Sequence, residues 1–174
     1  MYWSFREVMG RRNDFLLFNA EKNCWPDPDL EKAYPEIQSP WRYLNAGAFI
    51  GNAGAVKAAL QPKLDSITKK TDDQRLWTRL YLDDIAAGSD VIHIDSGCKI
   101  FQTLWGIQLP GEMLLTENGW YNTITRSSPA VFHSNGDHSK VWTFIYPGIQ
   151  VFASSTGVDL ADRFMAKRIE RSDE

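Results

Sequence analysis

Apolar and polar positions along the chain follow two regimes. Short apolar runs end abruptly in polar loops, and between them lie stretches with helical spacing. Residues 15–19, FLLFN, read as a short buried strand. Residues 28–34 begin like a helix and are stopped by Pro35. Residues 43–51, YLNAGAFIG, read as a strand whose small residues let another group approach the backbone. Residues 53–64 are alanine-rich and helical. Residues 72–82 form a second helix with Leu76, Trp77 and Leu80 on one face. Residues 91–95 predict a strand, 99–104 another, and 129–133 a third that ends in the loop HSNGDHSK. Residues 159–171 predict a charged amphipathic helix leading into a solvated tail. No repeat and no low-complexity linker interrupts this order. It predicts one layered α/β domain over residues 1–174, a mixed sheet flanked by helices. In such sheets ligands gather where strands end in loops.

The chain has 174 residues, enough for one domain with a real core. A net charge of −3 leaves no electrostatic footprint for nucleic acid. No apolar run is long enough to span a bilayer, and residues 1–14 lack the apolar centre of a secretory signal. The two cysteines, Cys24 and Cys98, can pair once or stay reduced; they make neither a disulfide framework nor a cysteine-rich zinc site. Seven tryptophans serve a core or a stacking surface equally well.

Four polar clusters stand within this framework, several of them where strands end. In FNAEKNCWP an apolar strand empties into a segment carrying Glu21, Cys24 and Trp25. Trp25 reads either as a wall of a binding cleft or as a buried lid over the core. In TDDQ, Thr71 and Gln74 have the spacing of a capping box, with Asp72 and Asp73 in the first turn. The same carboxylates at a helix mouth suit proton transfer or hydroxyl binding, and a cap can hold a catalytic acid in place. In YLNAGAFIG, Asn45 and Gly47 suit either close packing or presentation of amide and backbone groups to a sugar. In FHSNGDHSK, a histidine, a glycine turn and a lysine suit a metal-bound diphosphate. A lone histidine beyond a strand is more commonly structural. His138 reads as exposed loop, and His93, inside a strand, as packed.

Taken together and in order, LLFNAEKNCWPDPDL, YLNAGAFIG, TDDQRLWTRLYL, IDSGCKIFQTLWG and VFHSNGDHSK resemble the glycosyltransferase domain of the procollagen lysyl hydroxylase and glycosyltransferase family, over about residues 15–140. The resemblance implies a partial glycosyltransferase A-type fold, the nucleotide-diphospho-sugar transferase fold. It implies transfer of galactose or glucose from a UDP-sugar to a hydroxylysine-type or glycan hydroxyl in a collagen-like acceptor, with a divalent cation, usually Mn2+. His133 matches the family's metal-binding histidine and Lys140 the lysine that follows it. Asp72 and Asp73 match the end of an acidic run important for activity, and Asn45 matches the asparagine of a Leu-Asn-Ser-Gly motif. The resemblance also implies that Glu21 and Trp25 belong to the cleft wall and that Asn45, Gly47, Asn135, Gly136 and Lys140 complete the substrate-binding set. The family's animal members imply the endoplasmic reticulum lumen; a chain without a leader otherwise implies the cytoplasm.

The chain departs from the family pattern at definite positions. The family's Asp-x-Asp motif precedes the segment matching Phe15 and has no counterpart here. Ser134 stands where the family has glycine, and Asp137 adds an acid to the diphosphate loop. The expectation is a domain that holds UDP-sugar and manganese poorly by itself. Two other classes compete: a non-catalytic carbohydrate- or collagen-binding remnant, and a hydrolase pairing Glu21 with Asp72 or Asp73. The single-cleft reading predicts that Glu21, Asn45, Asp72 and His133 converge on one face of the sheet.

Overall fold

The computed structural model describes residues 10, 12, 14–136 and 145–147. The helix expected at 159–171 and the loop residues Asp137, His138 and Lys140 lie outside the described residues.

The fold is mixed α/β, built outward from one strand. Strand β1, Leu16–Glu21, is buried at every position. It sits at the centre of a three-stranded sheet, antiparallel to β2, Tyr43–Gly51, and parallel to β3, Ile92–Ile94. Its side chains alternate, as strand geometry requires. Leu16 and Phe18 join a core with Tyr34, Leu44 and Trp77, while Phe15 and Leu17 join another with Ile100 and Phe101. Burial on both faces explains why β1 reads as a continuous apolar run. Each fully buried Leu or Phe contributes roughly 1.5–3 kcal/mol.

Beyond this sheet, β4, Phe101–Thr103, pairs in parallel with β7, Val131–His133. β5, Met113–Thr116, and β6, Gly119–Asn122, form an antiparallel hairpin. Helix α1, Ala53–Leu60, is capped by the Asn52 side chain accepting from Gly54 N–H. Helix α2, Asp73–Ala86, lays Trp77, Thr78 and Tyr81 against the sheet. The Trp77 and Phe18 rings lie 4.8 Å apart between centroids.

Several expectations from the sequence need correction. β1 continues two residues past its expected end, so Glu21 closes the strand instead of entering the loop. Residues Pro28–Ala33 form a 3-10 helix. The α1 helix ends at Leu60 and continues as a 3-10 helix, Gln61–Ser66, because Pro62 cannot donate the next helical bond. The capping box of Thr71 and Gln74 does not form. Asp72 is the N-cap of α2 and accepts from Arg75 N–H at 2.8 Å, while the Thr71 hydroxyl oxygen accepts from Thr68 N–H. The β5–β6 hairpin went unread, although Asn118-Gly119 is a hairpin turn signal. Both cysteines are buried free thiols, and burial pushes Cys24 up to about 11.

The register between β1 and β2 carries one large irregularity. Phe18 pairs with Phe49, yet the next residue, Asn19, pairs with Asn45. Residues Ala46, Gly47 and Ala48 are thus bulged out of the ladder. Bulges of this kind re-aim side chains beside functional sites.

Candidate functional site

Glu21 is the centre of the site. Its residue surface is 4% exposed, and three side-chain amides converge on its carboxylate. Asn45 Nδ2 donates to Oε1 at 3.3 Å, Gln74 Nε2 donates to Oε1 at 2.5 Å, and Asn135 Nδ2 donates to Oε2 at 2.9 Å. Among the described residues no cation pairs with it. Burial pushes the Glu21 carboxyl above its ordinary value of 4.5, and the amides, which favour the charged form, offset only part of that rise. Oε1 accepts two bonds and Oε2 one. One acceptor position on Oε2 therefore remains for a further donor.

The amides themselves are committed. Asn45 Oδ1 accepts from Gly47 N–H at 3.0 Å and from His133 Nδ1 at 2.9 Å, while its Nδ2 donates to Glu21 and Gln74. Gln74 Nε2 also donates to the Trp25 carbonyl at 2.8 Å, and its Oε1 accepts from Asn45 Nδ2 and Ala46 N–H. Asn45 and Gln74 thus have both donors and both acceptor sites in use, which makes them scaffolding for Glu21.

His133 sits behind this layer, at the end of β7. The bulge makes its place: a Cβ on Gly47 would lie 1.9 Å from His133 Cε1. Gly47 is small so that the imidazole fits, and its N–H is spent on Asn45. The sequence expectation that Gly47 offers its backbone to a sugar gives way to this packing role. Nδ1 lies 2.9 Å from Asn45 Oδ1 and 3.4 Å from Asn19 Nδ2; the shorter contact is to an acceptor and favours the tautomer with Nδ1–H, whose lone pair is on Nε2. Burial lowers the His133 pKa below 6.5 and keeps the ring neutral. A neutral imidazole with its lone pair on Nε2 suits a single metal ligand. Among the described residues, however, no group of three His, Cys, Asp or Glu could hold a metal ion. These residues fit one coordination position for manganese and not a complete site.

The cleft over Glu21 has a volume of about 470 Å3 and is lined by Glu21, Asn23, Trp25, Asn45, Gln74, Trp105, Asn135 and Gly136. Five of the residues expected from the sequence meet here: Glu21, Trp25, Asn45, Asn135 and Gly136. Trp25 is 59% exposed, so it is a cleft wall and not a buried lid. Gly47 and His133 support the floor from behind. Gln74, Asn23 and Trp105 were missed. The TDDQ spacing points Gln74 to a capping box, and Trp105 follows β4, a strand end of the same kind as those of β1 and β7.

Asp72 and Asp73 are absent from the residues lining the cleft. Asp72 caps α2, and Asp73 Oδ1 accepts from Gln74 N–H. Their helix start delivers Gln74 to Glu21. Of the four residues expected to converge, Glu21, Asn45 and His133 are joined by hydrogen bonds, and Asp72 stands two residues before Gln74 at the head of α2. Asp72→Ala is expected to lower stability by about 1 kcal/mol, the ordinary value of an N-cap, as read by urea denaturation.

Comparison with known proteins gives these residues a context. The family model described as the PLOD GT domain matches residues 2–144. A Caenorhabditis elegans multifunctional procollagen lysine hydroxylase and glycosyltransferase is 38% identical over 124 residues, 70% of this chain and 17% of that protein. A Drosophila melanogaster procollagen-lysine,2-oxoglutarate 5-dioxygenase is 35% identical over 126 residues, again 70% of this chain and 17% of that protein. The human procollagen-lysine,2-oxoglutarate 5-dioxygenase 2 is 35% identical over 129 residues, covering 72% and 17%. The chain therefore spans a small part of the length of these relatives. With the family match covering most of its residues, the chain belongs to the family of the PLOD GT domain, the glycosyltransferase domain of procollagen lysine hydroxylases.

Proposed function

We propose that this glycosyltransferase-like domain transfers galactose or glucose from a UDP-sugar to a hydroxylysine-type or glycan hydroxyl of a collagen-like acceptor, on a glycosyltransferase A-type framework. The observation that carries this reading is the Glu21 carboxylate: buried, raised in pKa, held by three amides and left with one acceptor position at the floor of the cleft. In the proposed reaction the acceptor hydroxyl gives its proton to Glu21 Oε2 as its oxygen bonds to the anomeric carbon. The bond from that carbon to the diphosphate oxygen breaks, and UDP departs. A base whose pKa is raised towards the working pH suits this proton transfer. Manganese, when bound, would offset charge on the departing diphosphate. His133 would hold one coordination position, and carboxylates such as those of the family's Asp-x-Asp motif would be needed for the others.

The competing assignment gives the base to Asp72 or Asp73. Geometry favours Glu21, because both aspartates already accept backbone N–H groups at the head of α2. The same fact weakens the hydrolase reading, which needs one of them paired with Glu21 across a substrate. The animal family members suggest the endoplasmic reticulum lumen as the compartment. No helix among the described residues is long and apolar enough to cross a membrane.

A hexose-transfer assay tests the proposal. The donors are UDP-galactose and UDP-glucose with Mn2+, and the acceptors are a hydroxylysine collagen peptide and its galactosylated form. The chain is assayed as it stands and again joined to a segment that carries an Asp-x-Asp motif. Transfer from one donor, with near-normal turnover in Asp72→Asn, is the expected result. No transfer from either donor would leave a carbohydrate-binding remnant as the better reading.

A further inference from the structure

Two tryptophans line the cleft, and hydrogen bonds tie the backbone of each, through one amide side chain, to a single carboxylate. Gln74 Nε2 donates to the Trp25 carbonyl at 2.8 Å and to Glu21 Oε1 at 2.5 Å. On the other oxygen, Asn135 Nδ2 donates to Glu21 Oε2 at 2.9 Å, and Asn135 Oδ1 accepts from the Trp105 backbone N–H at 3.0 Å. The chain of bonds Trp25–Gln74–Glu21–Asn135–Trp105 is continuous, with the two tryptophans reached from opposite oxygens.

Trp105 belongs to the segment between β4 and β5, and the side chain after Glu21 holds that segment. Lys22 Nζ donates to the Gly106 carbonyl at 3.0 Å and to both oxygens of Glu112, at 2.7 and 2.5 Å. It also lies 4.6 Å from the Trp41 ring centroid. Glu112 in turn accepts from Gln108 N–H at 3.0 Å. Lys22 thus grips the residue after Trp105 and the far end of the same segment. The Lys22 and Glu112 side chains are only 14% and 17% exposed, so loss of either charge would strand the other in a poorly solvated place. Gly106 has φ +69°, a left-handed turn that glycine adopts without strain. Successive side chains of an extended chain point to opposite sides, so Glu21 faces the cleft while Lys22 faces the segment that carries its wall.

We propose that Trp105 is a second sugar-stacking wall of the cleft and that Lys22, through Gly106 and Glu112, is the positioning residue that sets it. This rests on the sugar-transfer reading above. A hexopyranose presents an apolar C–H face and a rim of hydroxyls. Indole walls serve the first, and the carboxylate and amide floor serves the second. Lys22 directs its charge to Glu112 and not into the cleft, so it acts on the ligand only through Trp105.

The test is binding of methyl β-D-galactopyranoside to the full chain by calorimetry and saturation-transfer NMR, with neither nucleotide nor metal. The wild type should bind, with ring C–H protons saturated most strongly. Trp105→Ala should weaken binding roughly tenfold or more. Lys22→Met should weaken it about three- to tenfold, and Lys22→Arg, which can still pair with Glu112, should restore it to within about twofold. A purely structural Lys22 would lower Tm in Lys22→Met without moving the affinity, and that result overturns the positioning role. Should Lys22→Met fail to fold, Glu112→Gln decides the same point. Wild-type affinity in Trp105→Ala, or no glycoside binding by the wild type, overturns the wall. Trp105-dependent glycoside binding in a protein that transfers no hexose would sink the transferase reading and leave this one standing.

Discussion

Glu21→Gln is expected to lower hexose transfer by about 10²–10⁴-fold, the range over which a positioned general base contributes. The same change disturbs the floor. Three amide donors converge on the Glu21 carboxylate, and glutamine offers one oxygen where glutamate offers two. At least one amide then faces another N–H, at a cost of roughly 1–3 kcal/mol. Removing a buried charge offsets part of that cost, so the net loss of stability should be smaller than the loss of turnover. The pH dependence separates the two effects. The Glu21 carboxyl is raised by burial, so the folded state holds its proton more tightly than the unfolded chain does. Its contribution to stability is fully present below 4.5 and is lost as pH rises through the folded value. Urea denaturation across that window should show this fall in the wild type and its absence in Glu21→Gln. An unchanged pH profile together with normal transfer would remove Glu21 from the chemistry.

Gly47→Ala should be almost as severe, by a different route. The added methyl would sit 1.9 Å from His133 Cε1, 2.5 Å from Nε2 and 2.7 Å from Nδ1, so the imidazole must leave. Overpacking of this kind costs about 1–3 kcal/mol. The departing ring also breaks the bond to Asn45, and Asn45 is one of the three groups that hold Glu21. His133 reports the change directly. Its pKa is lowered by burial, so in the wild type the stability it contributes is present above 6.5 and is lost as pH falls through the folded value. In Gly47→Ala the displaced ring should titrate closer to 6.5, as followed by the NMR shift of its Cε1 proton. A ring that titrates as in the wild type would mean that the bulge at residues 46–48 adjusts without expelling it.

Much of the framework was legible because β1 announces itself. FLLFN is buried on both faces, and its alternation feeds two cores, so an apolar run was sufficient signal. The strand YLNAGAFIG was found with its observed bounds, and its small residues were rightly read as room for a neighbour. The neighbour is the His133 ring, nearly ninety residues further along the chain, and spacing along the chain does not carry that pairing. The site was half legible for a related reason. Glu21, Trp25, Asn135 and Gly136 stand at strand ends or in the loops that follow them, where a local rule finds them, and Asn45 lies inside β2 beside the bulge. Gln74 was hidden because one sequence pattern, TDDQ, fits a cap built on Thr71 as well as one built on Asp72. Moving the cap by one residue turns Gln74 from a backbone partner into the amide that joins Trp25 to Glu21. Lys22 carried no motif at all; its part depends on Glu112, to which only the fold brings it.

If Glu21 takes the acceptor proton, a sugar hydroxyl must reach it. In a crystal structure of the protein soaked with methyl β-D-galactopyranoside, a hexose ring is expected in the cleft beside Trp25, with one hydroxyl oxygen within about 2.6–3.2 Å of Glu21 Oε2. A ring bound away from Glu21, with its hydroxyls directed at Asp72 or Asp73, would rule Glu21 out as the base.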